Sequence, residues 1–186
     1  MLVDNKAHGR VVDALREGLS ASHSASLLTS ELSIFAWHEL RRDLERLRSA
    51  RLLLPRAGHF PLGSVESGAR DLIGGRLVGG PEERRFRNAL TTPAVARALS
   101  DWLTKGCEVR ASTATVPHSL FCLEGETRRT VLQGSSTLTA PGLGLTPSER
   151  YELNTLFSDP GAVENLQELF DSLWANPSLT REAKAE

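Results

Sequence analysis

Two segments of helical periodicity each run into a short apolar stretch, and this alternation limits the possible folds more than any other feature of the chain. Val11, Val12, Leu15 and Leu19 recur at helical spacing after Asp4-Asn5, and the pattern stops near Gly18-Leu19-Ser20. Ala25 to Ser30 follows as a short apolar run with Ser and Thr, which reads as a strand. Phe35, Leu40, Leu44 and Leu47 then line one face of a second helix, while Arg41, Arg42, Glu45, Arg46 and Arg48 supply charge elsewhere. Leu52-Leu53-Leu54 before Pro55 reads as a second strand. A one-sided helix must bury its stripe against another element, so α-β-α-β order predicts a layered α/β sheet.

The second half adds a helix opened by Pro93, with Val95, Leu99, Trp102 and Leu103 on its apolar face and Gly106 as its stop. Strands are expected around Val109, over Val116 to Leu123, over Arg129 to Gln133 and over Tyr151 to Phe157, with the Gly125-Glu126 region turning the middle pair. Pro160 to Trp174 reads as a closing helix with Val163, Leu166, Leu169, Phe170, Leu173 and Trp174 inward. Residues 1–175 therefore form a single expected domain. Residues 56–92 are a glycine-punctuated, loop-rich insertion in which Ala69 to Leu77 can form a short helix. Residues 176–186 are a polar tail expected to fray.

The chain has 186 residues, enough to bury a core without staples. Its formal net charge of −1 excludes a global basic field, so any nucleic-acid contact must come from a local patch. Arg84, Arg85 and Arg87 around Phe86 form one such patch. Beside Glu82 and Glu83 the same run also reads as an ordinary solvated face. Cys107 and Cys122 lack close metal-ligand spacing and read as buried free thiols in a reducing compartment, the alternative being a disulfide between neighbouring strands. Met1 to Arg10 has no apolar signal-peptide core, and no apolar run approaches the ~18 residues of a membrane span. A cytoplasmic protein without membrane contact is the expectation.

One constellation carries chemistry. His118 opens the apolar run Val116-Pro117-His118-Ser119-Leu120-Phe121, and Gly134-Ser135-Ser136-Thr137-Leu138-Thr139 closes the next strand. Alone, His118 reads as a hydrogen-bonded His at the mouth of a sheet. The Gly-Ser-Ser-Thr segment reads as a strand-to-turn connection or a nest of backbone N–H groups that binds an anion. Together the two segments resemble the His-x-Lys … Gly-Ser-x-Asn signature of the phospholipase D superfamily. The surrounding order, from Asp4-Asn5-Lys6-Ala7-His8-Gly9-Arg10-Val11 through Phe86-Arg87-Asn88-Ala89-Leu90, Trp102 to Arg110, Glu152-Leu153-Asn154 and Leu169 to Trp174, is similar to the phospholipase D-like domain at the N-terminus of certain bacterial Swi/Snf-type helicases linked to DNA defence.

The resemblance implies a mixed β-sheet flanked by helices on both faces. It gives His118 the nucleophile's place, with Ser135 and Glu152 as vestiges of the catalytic set and Ser136, Thr137 and Asn154 around the phosphate. Glu152 and Asn154 can equally be a polar strand edge facing solvent. Leu120 stands in place of the Lys and Thr137 in place of the Asn, and Gly125 falls where the family has Asp. Stabilising the developing charge is the main catalytic contribution in phosphoryl transfer, and losing one donor typically costs ~10²–10³ in rate. The expectation is therefore a degenerate module that binds a partner protein or a nucleic-acid backbone. A residual phosphodiesterase or nuclease acting through His118 is the alternative. Active relatives complete one site from two such motifs, which implies a homodimer or a related domain as partner, beside a helicase or other defence subunit. No cofactor and no metal are implied.

Overall fold

The computed structural model describes residues 1–55, 92–113 and 116–183. The strands are β1 (Leu2–Val3), β2 (Ser24–Leu28), β3 (Ser49–Pro55), β4 (Glu108–Ser112), β5 (Ser119–Glu124), β6 (Arg129–Gly134), β7 (Asn154–Phe157) and β8 (Thr180–Glu182). The helices are α1 (Val11–Ser20), α2 (Ile34–Glu45), α3 (Thr92–Asp101) and α4 (Pro160–Ala175). All eight strands form one sheet in the order β1-β7-β6-β5-β2-β3-β4-β8. β2, β3 and β4 run parallel, and every other pairing is antiparallel.

Strand alternation splits the core in two. Ala25, Leu27, Ala50, Leu52, Phe121, Leu123 and Leu132 face one side, where α1, α2 and α3 bring Val12, Leu15, Leu19, Trp37, Leu40 and Val95 against them. Leu28, Leu53, Leu120, Cys122 and Val131 face the other and are covered by Val163, Phe170 and Trp174 of α4. Helices thus lie on both faces of a mixed sheet. Ser33 caps α2 by accepting from Ala36 N at 3.1 Å, and Asp159 caps α4 by accepting from Ala162 N at 3.0 Å.

Arg51 ties α4 down. It donates to Ser26 Oγ at 2.8 Å, pairs with Asp171 at 2.7 Å and lies over the Phe170 ring at 5.0 Å. Arg110 lies 4.7 Å from the Trp174 ring centroid and donates to the Trp174 carbonyl.

Several expected boundaries move. The strand expected from Val116 begins at Ser119, and the one expected from Tyr151 begins at Asn154. The Pro93 helix passes into a π-helical turn over Trp102–Gly106. The tail expected to fray contains β8, where Thr180 pairs with Ser112 and its hydroxyl donates to the Trp174 carbonyl at 3.0 Å. Cys107 and Cys122 are free. Cys107 stands one residue before β4 and Cys122 lies in β5, and β2 and β3 separate those two strands. The insertion, with Ala69 to Leu77, Arg84, Arg85 and Arg87, lies largely outside the described residues.

Candidate functional site

The polar segments singled out by sequence gather at one end of the sheet. Leu28 and Pro55 end β2 and β3 there, Gly134 ends β6, and Ser119 and Asn154 begin β5 and β7. In open sheets of this kind ligands bind outside the carboxyl ends of the parallel strands.

Ser135 and Ser136 follow β6 directly and meet the residues that enter β7. Ser135 Oγ donates to Glu152 Oε2 at 2.5 Å and accepts from Leu153 N at 2.9 Å. Asn154 Oδ1 accepts from Ser136 N at 3.1 Å, while its Nδ2 donates to Ser136 Oγ at 2.9 Å and to the Val3 carbonyl at 3.0 Å. Gly134 permits this approach, since a Cβ there would sit 2.3 Å from the Leu153 carbonyl oxygen. Glu152 is only 6% exposed and Asn154 2%, so neither lies on a strand edge facing solvent.

The arrangement changes what these residues can do. The expected phosphate donors Ser136 and Asn154 are turned into one another and into β1. Ser135 N donates to the Leu153 carbonyl at 3.2 Å, so this amide and that of Ser136 are both spent inside the chain rather than on an anion. Thr137 Oγ1 lies 3.0 Å from Thr139 Oγ1, which also accepts from Gly142 N at 3.2 Å. These are the bonds of a rigid scaffold.

His118 is exposed and stands one residue before β5. The register Ser119↔Gly134 carries it to the position beside Ser135, just past the end of the ladder. No hydrogen bond or ion pair from the described residues reaches its ring. Leu120, which the sequence resemblance sets in place of a Lys, is 3% exposed within the apolar cluster under α4. Among the described residues no group of His, Cys, Asp or Glu could hold a metal.

Two features escaped the sequence reading. Thr29 is a buried hub: its hydroxyl donates to the Glu31 carbonyl at 3.0 Å and takes contacts from Ser119 Oγ at 3.3 Å and Leu138 N at 3.2 Å. A lone Thr after an apolar run carries no signal for this. The second is a cavity of about 370 Å³ between residues 5–6 and 141–152, with Lys6, Arg150 and Glu152 in its wall. Asn5 adopts the left-handed conformation there, with φ of 59°. Neither that turn nor its partners near residue 142 was read from the sequence.

The fold is phospholipase D-like. It is similar to TrmBL2, an archaeal chromatin protein whose structure shows a novel mode of DNA binding, with a TM-score of 0.50, 13% identity, and coverage of 98% of this chain and 54% of that one. It is also similar to the polyphosphate kinase of Porphyromonas gingivalis, with a TM-score of 0.52, 12% identity, and coverage of 99% of this chain and 27% of that one. The chain thus spans about half the length of the first and about a quarter of the second. No protein-family model and no curated protein matches it.

Proposed function

We infer that the protein is a catalytically degenerate phospholipase D-like module that binds a nucleic-acid backbone or partner protein within a DNA-processing assembly. The supporting observation is the burial of Leu120. The position that would carry a phosphate-holding ammonium is packed against Phe170 and Trp174 instead, and the neighbouring polar side chains bond one another. An enzyme of this type works by placing positive charge and free donors around phosphorus, and the residues at the family motif positions offer no cation beside His118, Leu120 being apolar and Ser136 and Asn154 bonded to each other. TrmBL2 supports the nucleic-acid reading to the extent that a chain of the same fold type binds DNA. A helicase-type subunit and a second copy of this chain are the partners that fit the resemblance in sequence.

The test pairs hydrolysis with retention. Purified protein is incubated with a chromogenic phosphodiester and with single- and double-stranded DNA, beside His118→Ala. The expected result is no turnover above buffer, together with DNA retention that weakens as salt rises, because phosphate contacts release counterions. Turnover that disappears in His118→Ala would overturn this reading in favour of a residual phosphodiesterase.

A further inference from the structure

The cavity between the N-terminal turn and the 141–152 segment has the charge pattern of a binding site, and its walls are fixed. Asn5 Nδ2 donates to the Gly142 carbonyl at 2.8 Å, and Asn5 Oδ1 accepts from Val11 N at 2.8 Å. Gly144 adopts φ of +74° directly against Asn5, where a Cβ would lie 2.5 Å from Asn5 Oδ1. Val12 N donates to the Leu143 carbonyl at 3.0 Å, and the Leu143 side chain is fully buried. The two walls therefore form before any ligand arrives, which lowers the ordering cost of binding.

The charges are arranged in depth. Lys6 and Arg150 are exposed at the rim. The Lys6 ammonium lies 3.7 Å from the Tyr151 ring centroid and makes no ion pair among the described residues. Arg150 Nε lies 4.0 Å from Glu152 Oε1, too far for a hydrogen bond, so its guanidinium retains free donors. Glu152 is more than nine-tenths buried. Its Oε2 takes the Ser135 hydroxyl, and its Oε1 has no hydrogen-bond donor among the described residues. That oxygen opens onto the cavity, so a ligand donor can reach it. The unpaired Lys6 ammonium and the remaining guanidinium donors of Arg150, which meets Glu152 only at 4.0 Å, offer an anion its contacts.

We propose that this cavity binds a phosphomonoester carried on a hydroxyl-bearing sugar, with the phosphate between Lys6 and Arg150 and a sugar hydroxyl donating to Glu152 Oε1. Inorganic phosphate satisfies only the rim and is repelled by Glu152, and a neutral sugar satisfies only the wall. The volume lies in the usual range for small-molecule sites. The ligand can be a free sugar phosphate or nucleotide, or the phosphorylated 5′ end of a strand. The site does not depend on backbone binding, because it uses a terminal phosphate and a sugar hydroxyl rather than a run of phosphodiesters.

The test is calorimetric titration of the full chain at low salt with ribose 5-phosphate, adenosine 5′-monophosphate, ribose and inorganic phosphate. A 5′-phosphorylated and a 5′-hydroxyl oligoribonucleotide are titrated alongside. Saturable binding of the sugar phosphates is expected, at least about tenfold tighter than ribose or inorganic phosphate. Lys6→Ala and Arg150→Ala, both at exposed positions, should each weaken binding by about tenfold, the loss of one charge-assisted hydrogen bond. Glu152→Gln should weaken ribose 5-phosphate while leaving inorganic phosphate as strong or stronger. Preference for the 5′-phosphorylated oligonucleotide assigns the strand end as the source, and binding of the free compounds alone assigns a metabolite. No saturation at millimolar concentration, or binding that survives both cation variants, overturns the site. Equal binding of the two oligonucleotides, lost in the same variants, also overturns it while leaving backbone recognition standing.

Discussion

The Ser135 hydroxyl bridges the Glu152 carboxylate, 2.5 Å away, and the backbone amide of Leu153, 2.9 Å away. One oxygen thereby extends the β6–β7 junction past the Gly134↔Asn154 pair, beside the backbone bond from Ser135 N to the Leu153 carbonyl. It also supplies the hydrogen bond that lets a carboxylate sit inside the protein. Ser135→Ala should leave Glu152 buried without that donor and cost about 1–3 kcal/mol. For a chain of this size that corresponds to a fall of roughly 2–4 °C in Tm per kcal/mol, readable in a thermal melt. In a Glu152→Gln background the same change should cost less, since an unpaired amide is cheaper to bury than an unpaired charge.

Asn154 holds three strands with one amide, through Ser136 on the segment after β6 and Val3 on β1. Asn154→Leu removes three bonds and strands the Ser136 amide. Destabilisation on the order of 2–3 kcal/mol is expected in urea unfolding, with amide exchange at Val3 and Ser136 accelerated first.

Introducing at position 120 the lysine that the phospholipase D resemblance implies should fail for a structural reason. Leu120→Lys places an ammonium among Leu28, Leu53, Phe170 and Trp174. A displacement of roughly three pKa units, usual for a buried lysine, costs on the order of 4 kcal/mol. The amine is held below its unfolded pKa, so the unfolded chain binds the extra proton. The variant's stability should therefore rise with pH toward about pH 10. A variant that melts like the parent at neutral pH would show that position 120 can turn its side chain outward.

At the N-terminal turn, hydrogen bonds from the His8 side chain and the His8 amide hold the Asp4 carboxyl down to about 2, and the Lys6 amide adds to them. Its contribution is present above the ordinary carboxylate pKa and is lost as pH falls through about 2. The Lys6 and His8 amide resonances should titrate near that value. A midpoint near the unperturbed 3.8 would mean that the turn is open in solution.

Burial pushes the Cys122 thiol up to about 12, and nearby Asp171 adds to the shift. The thiolate is the reactive form, so Cys122 should resist thiol reagents at pH 8 in the native protein and react at once in denaturant. Rapid native labelling would place the inner face of α4 within reach of solvent.

Elements that bury an apolar stripe of their own were legible in the sequence. The spacing of Val11, Val12, Leu15 and Leu19 gives α1, and that of Val163, Phe170 and Trp174 gives α4, because burial alone sets those periods. β1 and β8 were not legible. They are short edge strands that gain order from a neighbour's backbone, and Thr180-Arg181-Glu182 has no apolar face to show. At the candidate site, sequence brought forward Ser135, Ser136, Glu152 and Asn154, and the fold does bring them together. It did not reveal that they bond one another, because Asn154 finds Val3 from 151 positions away. The Lys6–Arg150 cavity was hidden for the same reason.

β2 occupies the centre of the sheet, with β3 on one side and β5 on the other, and Leu28 faces Leu120 across the second junction. While the ribosome is still making the middle of the chain, β2 and β3 can zip together, but the opposite flank of β2 has no mate. Sticky main-chain groups beside Leu27 and Leu28 stay uncovered until residues 119–124 emerge. During synthesis this flank is where two nascent copies would tangle, and where a holdase chaperone would be needed most.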